Sequence, residues 1–354
     1  MANEIESGSP AVGKRREERY NVPDSCQQYI KLRVKSGNEF VPAILGNFSR
    51  SGILFECPVS FTPGLTSHDV VNRVRRILGQ RSVGHLGTLD PLATGVLPLV
   101  TGSLTRLAQF YTASEKTYEG VIRFGFATDT YDSEGEATSP AQSVSLTLAQ
   151  MQEVAARFRG VIEQMPPPFS AKKIHGVPAY KLARKKKDVA LAPVKVEIKQ
   201  FDILGVEQDR VHFRAHVASG TYMRSVAHDM GQQLGCGAHL QSLRRTAVAE
   251  FKIADAHTLD QLADAAAKGS ADDLFVHPRT LLPQLPSVTA DEATAANIRS
   301  GRTVNLPELS RARQVKVFSG QRELIAIATR VAGTLFHPGI VLVTPQDGAR
   351  QSPD

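Results

Sequence analysis

Between Gly84 and Phe110 the chain carries one carboxylate, Asp90, in a run of small and apolar residues: Gly84-His-Leu-Gly-Thr-Leu-Asp90-Pro-Leu-Ala-Thr-Gly95-Val-Leu-Pro-Leu-Val100. A stretch of this kind makes a poor solvated surface and can present its carboxylate to a ligand. Gly87 and Gly95 permit backbone angles that other residues avoid, and Pro91 disfavours the helical region for Asp90, so the carboxylate is expected on a stiff, non-helical loop. Part-desolvated and without a cation nearby in sequence, it requires a distant Arg or Lys. The plainer reading of an Asp-Pro pair is a turn or a helix cap.

Two further stretches carry chemistry. From Lys172 to Lys187 seven cations surround Tyr180, behind a stiff Pro166-Pro-Pro168 run, and basic side chains interleaved with an aromatic suit an RNA backbone and its bases. In Ser219-Gly-Thr-Tyr222-Met-Arg224, Arg224 falls in the first turn of a helix, where the helix dipole does not favour a cation. Arg224 therefore needs another reason to be there.

The Asp90 loop must be held by its neighbours. Val96 to Val100 reads as a short buried strand and Leu104 to Phe110 as the start of a helix. Upstream, Thr66 or Ser67 caps a helix with Val70, Val74, Ile77 and Leu78 on one face, which leaves Arg73, Arg75, Arg76 and, near its end, Arg81 as candidate phosphate contacts. Lys116 to Phe126 alternates as a strand, Leu146 to Phe158 forms an amphipathic helix, and Val194 to Ile203 and Val211 to Val217 are two more strands around a Glu207-Gln-Asp-Arg210 turn. The Gly125 to Gly135 segment is acidic but lacks the twelve-residue calcium-loop pattern, so a turn is expected there.

The stretch around Asp90 resembles the nucleophile motif of the TruB family of tRNA pseudouridine synthases, G-H-x-G-T-L-D-P-x-A-T-G-x-L-P. Gly125 to Gly135 is similar to the family's G-x-x-T-D-T-x-D-x-x-G, and residues 219 to 245 to its S-G-T-Y-I-R and L-G-x-G-A-H-x-x-x-L-R-R. The resemblance runs from about 64 to 252. It implies an α+β pseudouridine synthase fold, a mixed and mainly antiparallel sheet flanked by helices, and isomerisation of the T-loop uridine at position 55 of tRNA. It further implies that Asp90 is the nucleophile, that Arg224 pairs with it, and that Tyr118 stacks on the flipped base where a proton must leave late in the reaction. Tyr222 and Leu243 would line the pocket, His85 would fill the space the base vacates, and Lys116 would contact substrate. The basic tract, with Lys172, Tyr180 and Arg184, resembles the insertion that clamps the tRNA T-arm in the stand-alone bacterial enzymes; guide-RNA-dependent relatives lack it. No cofactor and no metal are implied.

Before that region, Arg15-Arg-Glu-Glu-Arg19 precedes two alternating runs, Tyr29 to Val34 and Phe40 to Leu45, expected to pair as a hairpin, and then Asn47-Phe-Ser-Arg-Ser-Gly52. An R-x-x-x-R followed by N-x-S-x-x-G resembles part of the PilZ domain, which implies cyclic di-GMP as a second partner through Arg15, Arg19, Asn47, Ser49 and Gly52. Where the TruB pattern has G-I-L-x-x-D-K-P-x-G-x-T-S, this chain reads Gly52-Ile-Leu-Phe-Glu-Cys-Pro-Val-Ser-Phe-Thr-Pro-Gly64-Leu-Thr-Ser67. The missing Asp-Lys-Pro leaves open whether the hairpin supplies the family's first strand, and whether the chain is instead a cyclic di-GMP-responsive RNA-binding regulator with impaired catalysis.

At 354 residues, with 42% hydrophobic and 22% charged side chains, the chain is globular and long enough for two or three domains. Its net charge of +7 favours a polyanionic partner. Three cysteines at wide spacing fit neither a zinc site nor a disulfide framework, no apolar run is long enough to span a membrane, and the N-terminus lacks a secretory pattern; the expectation is a cytoplasmic monomer. The domains are read as a disordered arm at 1–14, a PilZ-like β segment at 15–63, the catalytic domain at 64–252 with its basic insertion at 172–187, a linker region at 253–285, and a PUA-like β-rich domain at 286–346. In that last domain Arg311, Arg313 and Lys316 are candidate RNA contacts.

Overall fold

The computed structural model describes residues 66–170, 192–308 and 311–342 in full, and the backbone alone of the short strands at 32–36, 39–43, 52–57, 173–174 and 177–178. Strands β1 (Leu32–Ser36) and β2 (Glu39–Ala43) pair antiparallel as a two-stranded sheet of their own. This hairpin is the one its alternation predicts. It belongs to the first of two units, residues 1–45.

The second unit begins at Gly46. In chain order it contains β3 (Gly52–Cys57), α1 (Ser67–Leu78), β4 (Val83–His85), β5 (Ala93–Thr101), α2 (Ala108–Tyr111), β6 (Lys116–Phe124), α3 (Leu148–Ala156) and β7 (Gly160–Gln164). The small hairpin β8 (Lys173–Ile174) and β9 (Val177–Pro178) precedes β10 (Val194–Glu207), β11 (Arg210–Val217), α4 (Met223–Gln233), β12 (Ala238–Val248) and β13 (Phe251–Lys252). Eight strands run in the order β14 (Phe275–Val276), β3, β5, β12, β6, β11, β10, β7, with β4 beside β5 and β13 beside β12. All of these pairings are antiparallel except β5 with β12.

The altered stretch after Gly52 is thus a strand of the main sheet, registered from Gly52 on Val100 to Cys57 on Gly95. Within the described residues it is β3, not the β1 and β2 hairpin, that flanks β5.

The sheet buries one face under helices. Val70, Val71, Val74 and Leu78 of α1, Met151 and Val154 of α3, and Met223, Val226 and Met230 of α4 share a core with Ile122, Phe124, Val211, Phe213 and Phe201. Helix α1 starts where expected because Thr66 and Asp69 cap each other reciprocally, satisfying otherwise unpaired N–H groups. Strand β5 is covered on both sides, since Leu97 and Leu99 face the helical core while Val96 and Val100 enter a second core with Leu104, Leu107, Val248 and Phe251. That is why Val96 to Val100 reads as unbroken apolar sequence rather than alternation. The helix expected from Leu104 opens instead as a 3-10 turn over Gly102–Leu107, followed by the single α-turn of α2.

Residues 253–285, expected to link, are built into the unit. Helix α5 (Leu259–Lys268) inserts Leu262 into the helical core, and β14 pairs with β3 at the sheet edge. The C-terminal segment forms a five-stranded sheet from β15 (Ser287–Ala290), β16 (Val304–Asn305), β17 (Gln314–Ser319), β18 (Glu323–Ala332) and β19 (Leu335–Val341), in the order β15, β17, β18, β19, β16, with α6 (Glu292–Arg299) against it. Phe318, Leu324 and Ile327 of this sheet, with Leu342 just beyond it, enter the same core as Val96 and Val100. Lys316, a candidate RNA contact from sequence, is buried instead: its ammonium donates to the carbonyls of Arg279 at 2.8 Å and Leu281 at 2.6 Å. Arg311 and Arg313 are exposed.

Candidate active site

Asp90 sits on the irregular loop between β4 and β5, as its glycines and Pro91 require. Ser67, at the start of α1, accepts the Leu89 N–H at 3.0 Å, and Asp90 closes a turn by accepting the Ala93 N–H at 2.9 Å. The chain bends at Gly87 in the loop, with φ of 115°, and at Gly95 just inside β5, with φ of 101°. These angles favour glycine. At Gly95 a Cβ would also lie 2.1 Å from the carbonyl oxygen of Arg245 on the parallel neighbour β12, so only glycine fits.

The distant cation that Asp90 requires is Arg224. Its Nη2 lies 3.2 Å from Asp90 Oδ1 and its Nε 3.3 Å from Oδ2, a two-point grip that fixes the carboxylate plane. The Asp90 side chain keeps 29% of its surface exposed while that of Arg224 keeps 4%; the carboxylate faces the open side and the guanidinium backs it. Arg224 is itself held by the Phe169 carbonyl at 3.1 Å and by Asp132, whose Oδ2 lies 3.4 Å from Nη1. Asp132, buried and further bonded by Thr130 Oγ1 at 2.6 Å and the Glu134 N–H at 3.1 Å, belongs to the segment expected as a simple turn. Two carboxylates therefore share one buried cation. Gln164 anchors the start of α4 by accepting the Tyr222 N–H at 2.8 Å and donating to the Tyr222 carbonyl at 3.1 Å.

Around this pair stand the other residues singled out from sequence. Tyr118, on β6, is buried; burial pushes its hydroxyl above the ordinary tyrosine range, the charge and hydrogen bond of Arg245 oppose that, and Asp90 adds to it. Tyr222 is raised chiefly by burial, and it too feels the charge of Asp90. Leu243, on β12, is 4% exposed and registers between Ala93 and Gly120. Lys116 approaches Gly87 and is brought down to about 8 by burial and then by Arg245, with its ammonium on the Ser114 carbonyl at 2.7 Å. His85, at the end of β4, is half-buried and lowered first by burial, with an Nδ1 that has no hydrogen-bond partner among the described residues.

Lys172, Tyr180 and Arg184 of the basic tract, and Arg15, Arg19, Asn47 and Ser49 of the N-terminal segment, lie outside the described residues. Gly52 is described, as the first residue of β3, hydrogen-bonded between Val100 and Val276. Among the described residues no His, Cys, Asp and Glu side chains group as a metal site, and no helix is long and apolar enough to cross a membrane.

Three site residues were not singled out from the sequence: Asp132, Gln164 and Arg245. For Arg245 a signal existed. Leu243-Arg244-Arg245 lies in a strand, where residues two apart share a face, so an inward Leu243 implies an inward Arg245.

Residues 75–223 match the model of the TruB family pseudouridylate synthase N-terminal domain, and residues 224–283 that of the tRNA pseudouridylate synthase B C-terminal domain. A curated relative from Solibacter usitatus, a tRNA pseudouridine synthase B, is 51% identical over 79% of this chain and 96% of its own length. One of the same name from Dehalococcoides mccartyi is 36% identical over 80% of this chain and 94% of its own. Among solved structures, a chain of a Cbf5-Nop10-Gar1 complex superposes with a TM-score of 0.61 at 23% identity, covering 90% of this chain and 96% of that one. A chain of an H/ACA RNP bound to substrate RNA containing 2'-deoxyuridine gives a TM-score of 0.61, also at 23% identity, over 84% of this chain; at that identity the likeness is one of fold.

Proposed function

The chain belongs to the TruB family of pseudouridylate synthases, has their α+β fold and is a tRNA pseudouridine synthase; from that premise we propose that it isomerises the T-loop uridine at position 55, with Asp90 as nucleophile. The observation that carries this reading is the two-point grip of Arg224 on Asp90 at 3.2 and 3.3 Å, on a loop whose conformation leaves the carboxylate part-exposed. Isomerisation breaks the bond from the ribose C1' to N1 of the uracil, turns the ring and joins C1' to C5; the proton on C5 is lost and N1 gains one, so no electrons are exchanged with the protein. A carboxylate serves by attacking the substrate and leaving it again. Arg224 aims the Asp90 oxygens, Tyr118 and Leu243 hold the uracil, and Tyr118 offers its hydroxyl where the C5 proton departs. Tyr222 lines the pocket. His85, with one ring nitrogen free of partners among the described residues, fills the gap left in the T-loop stack by the flipped base.

The basic tract at 172–187, with Lys172, Tyr180 and Arg184, clamps the T-arm, and Lys116 contacts the substrate backbone. The tract favours a stand-alone enzyme over a guide-RNA-dependent one, and so do relatives at 36% and 51% identity that bear the synthase B name. Cyclic di-GMP binding through Arg15, Arg19, Asn47 and Ser49 is at most weak, because the PilZ resemblance spans only part of that domain's length and donors that a whole barrel does not preorganise lose affinity. The enzyme works as a monomer in the cytoplasm.

The test is to incubate the purified protein with unmodified tRNA transcript, without guide RNA, metal or nucleotide, and to map pseudouridine along the product. Conversion of one T-loop uridine is expected. Conversion at another position, or only with a guide RNA, refutes the assignment.

A further inference from the structure

Arg245 is among the largest wholly buried side chains, at 0% exposure, and its donors are directed at the Asp90 loop. Its Nε donates to the Val96 carbonyl at 2.9 Å, Nη1 to that of Thr88 at 3.0 Å and Nη2 to that of Gly87 at 3.1 Å. Its backbone lies in register with Gly95 across the parallel β5 and β12 pair, so closely that Gly95 tolerates no Cβ. One residue thus grips the chain on both sides of Asp90, in the loop at 87–88 and at the start of β5 at 95–96. It also hydrogen-bonds the Tyr118 hydroxyl and bears on the charge of His85 and Lys116. Three donors fanned over a loop and a fourth contact on a phenol use the planar fork of a guanidinium, which an ammonium does not reproduce.

We propose that Arg245 is a positioning residue for the reaction: it sets the height of Asp90 by holding the loop's carbonyls and sets the direction of the Tyr118 hydroxyl, coupling nucleophile and proton acceptor through one buried side chain. The inference rests on the assignment of Asp90 and Tyr118 above. Arg245 is out of reach of RNA, so its effect falls on the chemical step and not on binding. Its hydrogen bond to Tyr118 favours the ionised phenol against the effect of burial, so the pH at which the phenol accepts a proton depends on it.

The test is Arg245→Lys, which keeps charge and burial but concentrates the donors on one atom. At saturating tRNA in single turnover, the rate falls about 100-fold, the loss associated with a misplacement of about 1 Å. The tRNA Kd stays within about twofold, and the rising limb of the pH profile moves to higher pH. A lysine variant that melts lower but converts at the wild-type rate per folded molecule, with an unmoved profile, overturns the inference by showing a structural role only. Asp90→Asn run alongside separates the two levels: conversion by that variant removes the site assignment and this inference with it, whereas a dead Asp90→Asn beside a wild-type-like Arg245→Lys removes this inference alone. Should the lysine variant not fold, Arg245→Gln, which keeps a donor for the loop carbonyls without the charge, supplies the same readouts, and a wild-type rate per folded molecule with an unmoved profile overturns the inference.

Discussion

Replacing Arg224 by Met removes a guanidinium from between two carboxylates while keeping most of its volume. Breaking a buried ion pair costs about 3 to 5 kcal/mol because it strands the remaining charge. The low end applies here. The Asp132 side chain is 4% exposed but keeps its bonds from Thr130 at 2.6 Å and Glu134 at 3.1 Å, and Asp90 is 29% exposed and reaches solvent. A destabilisation of about 3 kcal/mol, at roughly 2 °C per kcal/mol for a chain of this size, lowers the melting temperature by about 6 °C. Conversion, followed as tritium released from C5 of labelled uridine in tRNA, falls by at least about 100-fold, since Asp90 loses its aim. Binding of tRNA is unchanged, because Arg224 does not reach the surface. Adding Asp132→Asn to Arg224→Met recovers most of the stability, as a neutral pair replaces a stranded charge, and none of the activity. A single variant that melts with the wild type, or a double variant no more stable than the single, refutes the shared-cation geometry.

Three other outcomes are expected. Alanine at Lys185, Lys186 and Lys187 weakens tRNA binding and flattens its dependence on log salt by about 0.7 to 0.9 for each phosphate that the variant no longer neutralises; an unchanged slope makes the tract a solvated face. Lys116, held near 8 by burial and Arg245, binds phosphate only as the cation, so tRNA affinity falls as pH rises through about 8, and Lys116→Gln removes that step; a step that persists in the variant assigns it elsewhere. Calorimetry with cyclic di-GMP gives weak or no heat; micromolar binding abolished by Arg15→Ala makes the chain a second-messenger-regulated RNA modifier.

Most of the site was legible in the sequence because its chemistry sits in continuous motifs. Asp90 on a glycine-flanked loop, a distant arginine partner and Arg224 at a helix start that disfavours it all follow from local rules, and the structure joins them. What stayed hidden depends on tertiary packing. Asp132 reads as a turn residue until Arg224 is seen to be shared, and Gln164 has no assigned role before the Pro166-Pro-Pro168 run until it is seen to hold the Tyr222 backbone at the start of α4. Lys316 reads as an exposed RNA contact and Arg245 carries no reading of its own, yet each lies on the inward face of a strand, with backbone carbonyls as partners. Strand β3 was obscured for a different reason: its departure from the family pattern removed the motif but not the pairing to β5, which backbone hydrogen bonds supply irrespective of side chain. Residues 253–285 read as a linker because their elements are short, and it is the sheet edge and the helical core that give them a place.

The most direct measurement is single-turnover conversion of unmodified tRNA transcript by Asp90→Asn. The asparagine keeps the shape of the carboxylate and removes its nucleophilic charge, so tRNA binding is retained and no pseudouridine forms. Conversion by this variant at a rate near that of the wild type contradicts the assignment of Asp90 as the nucleophile.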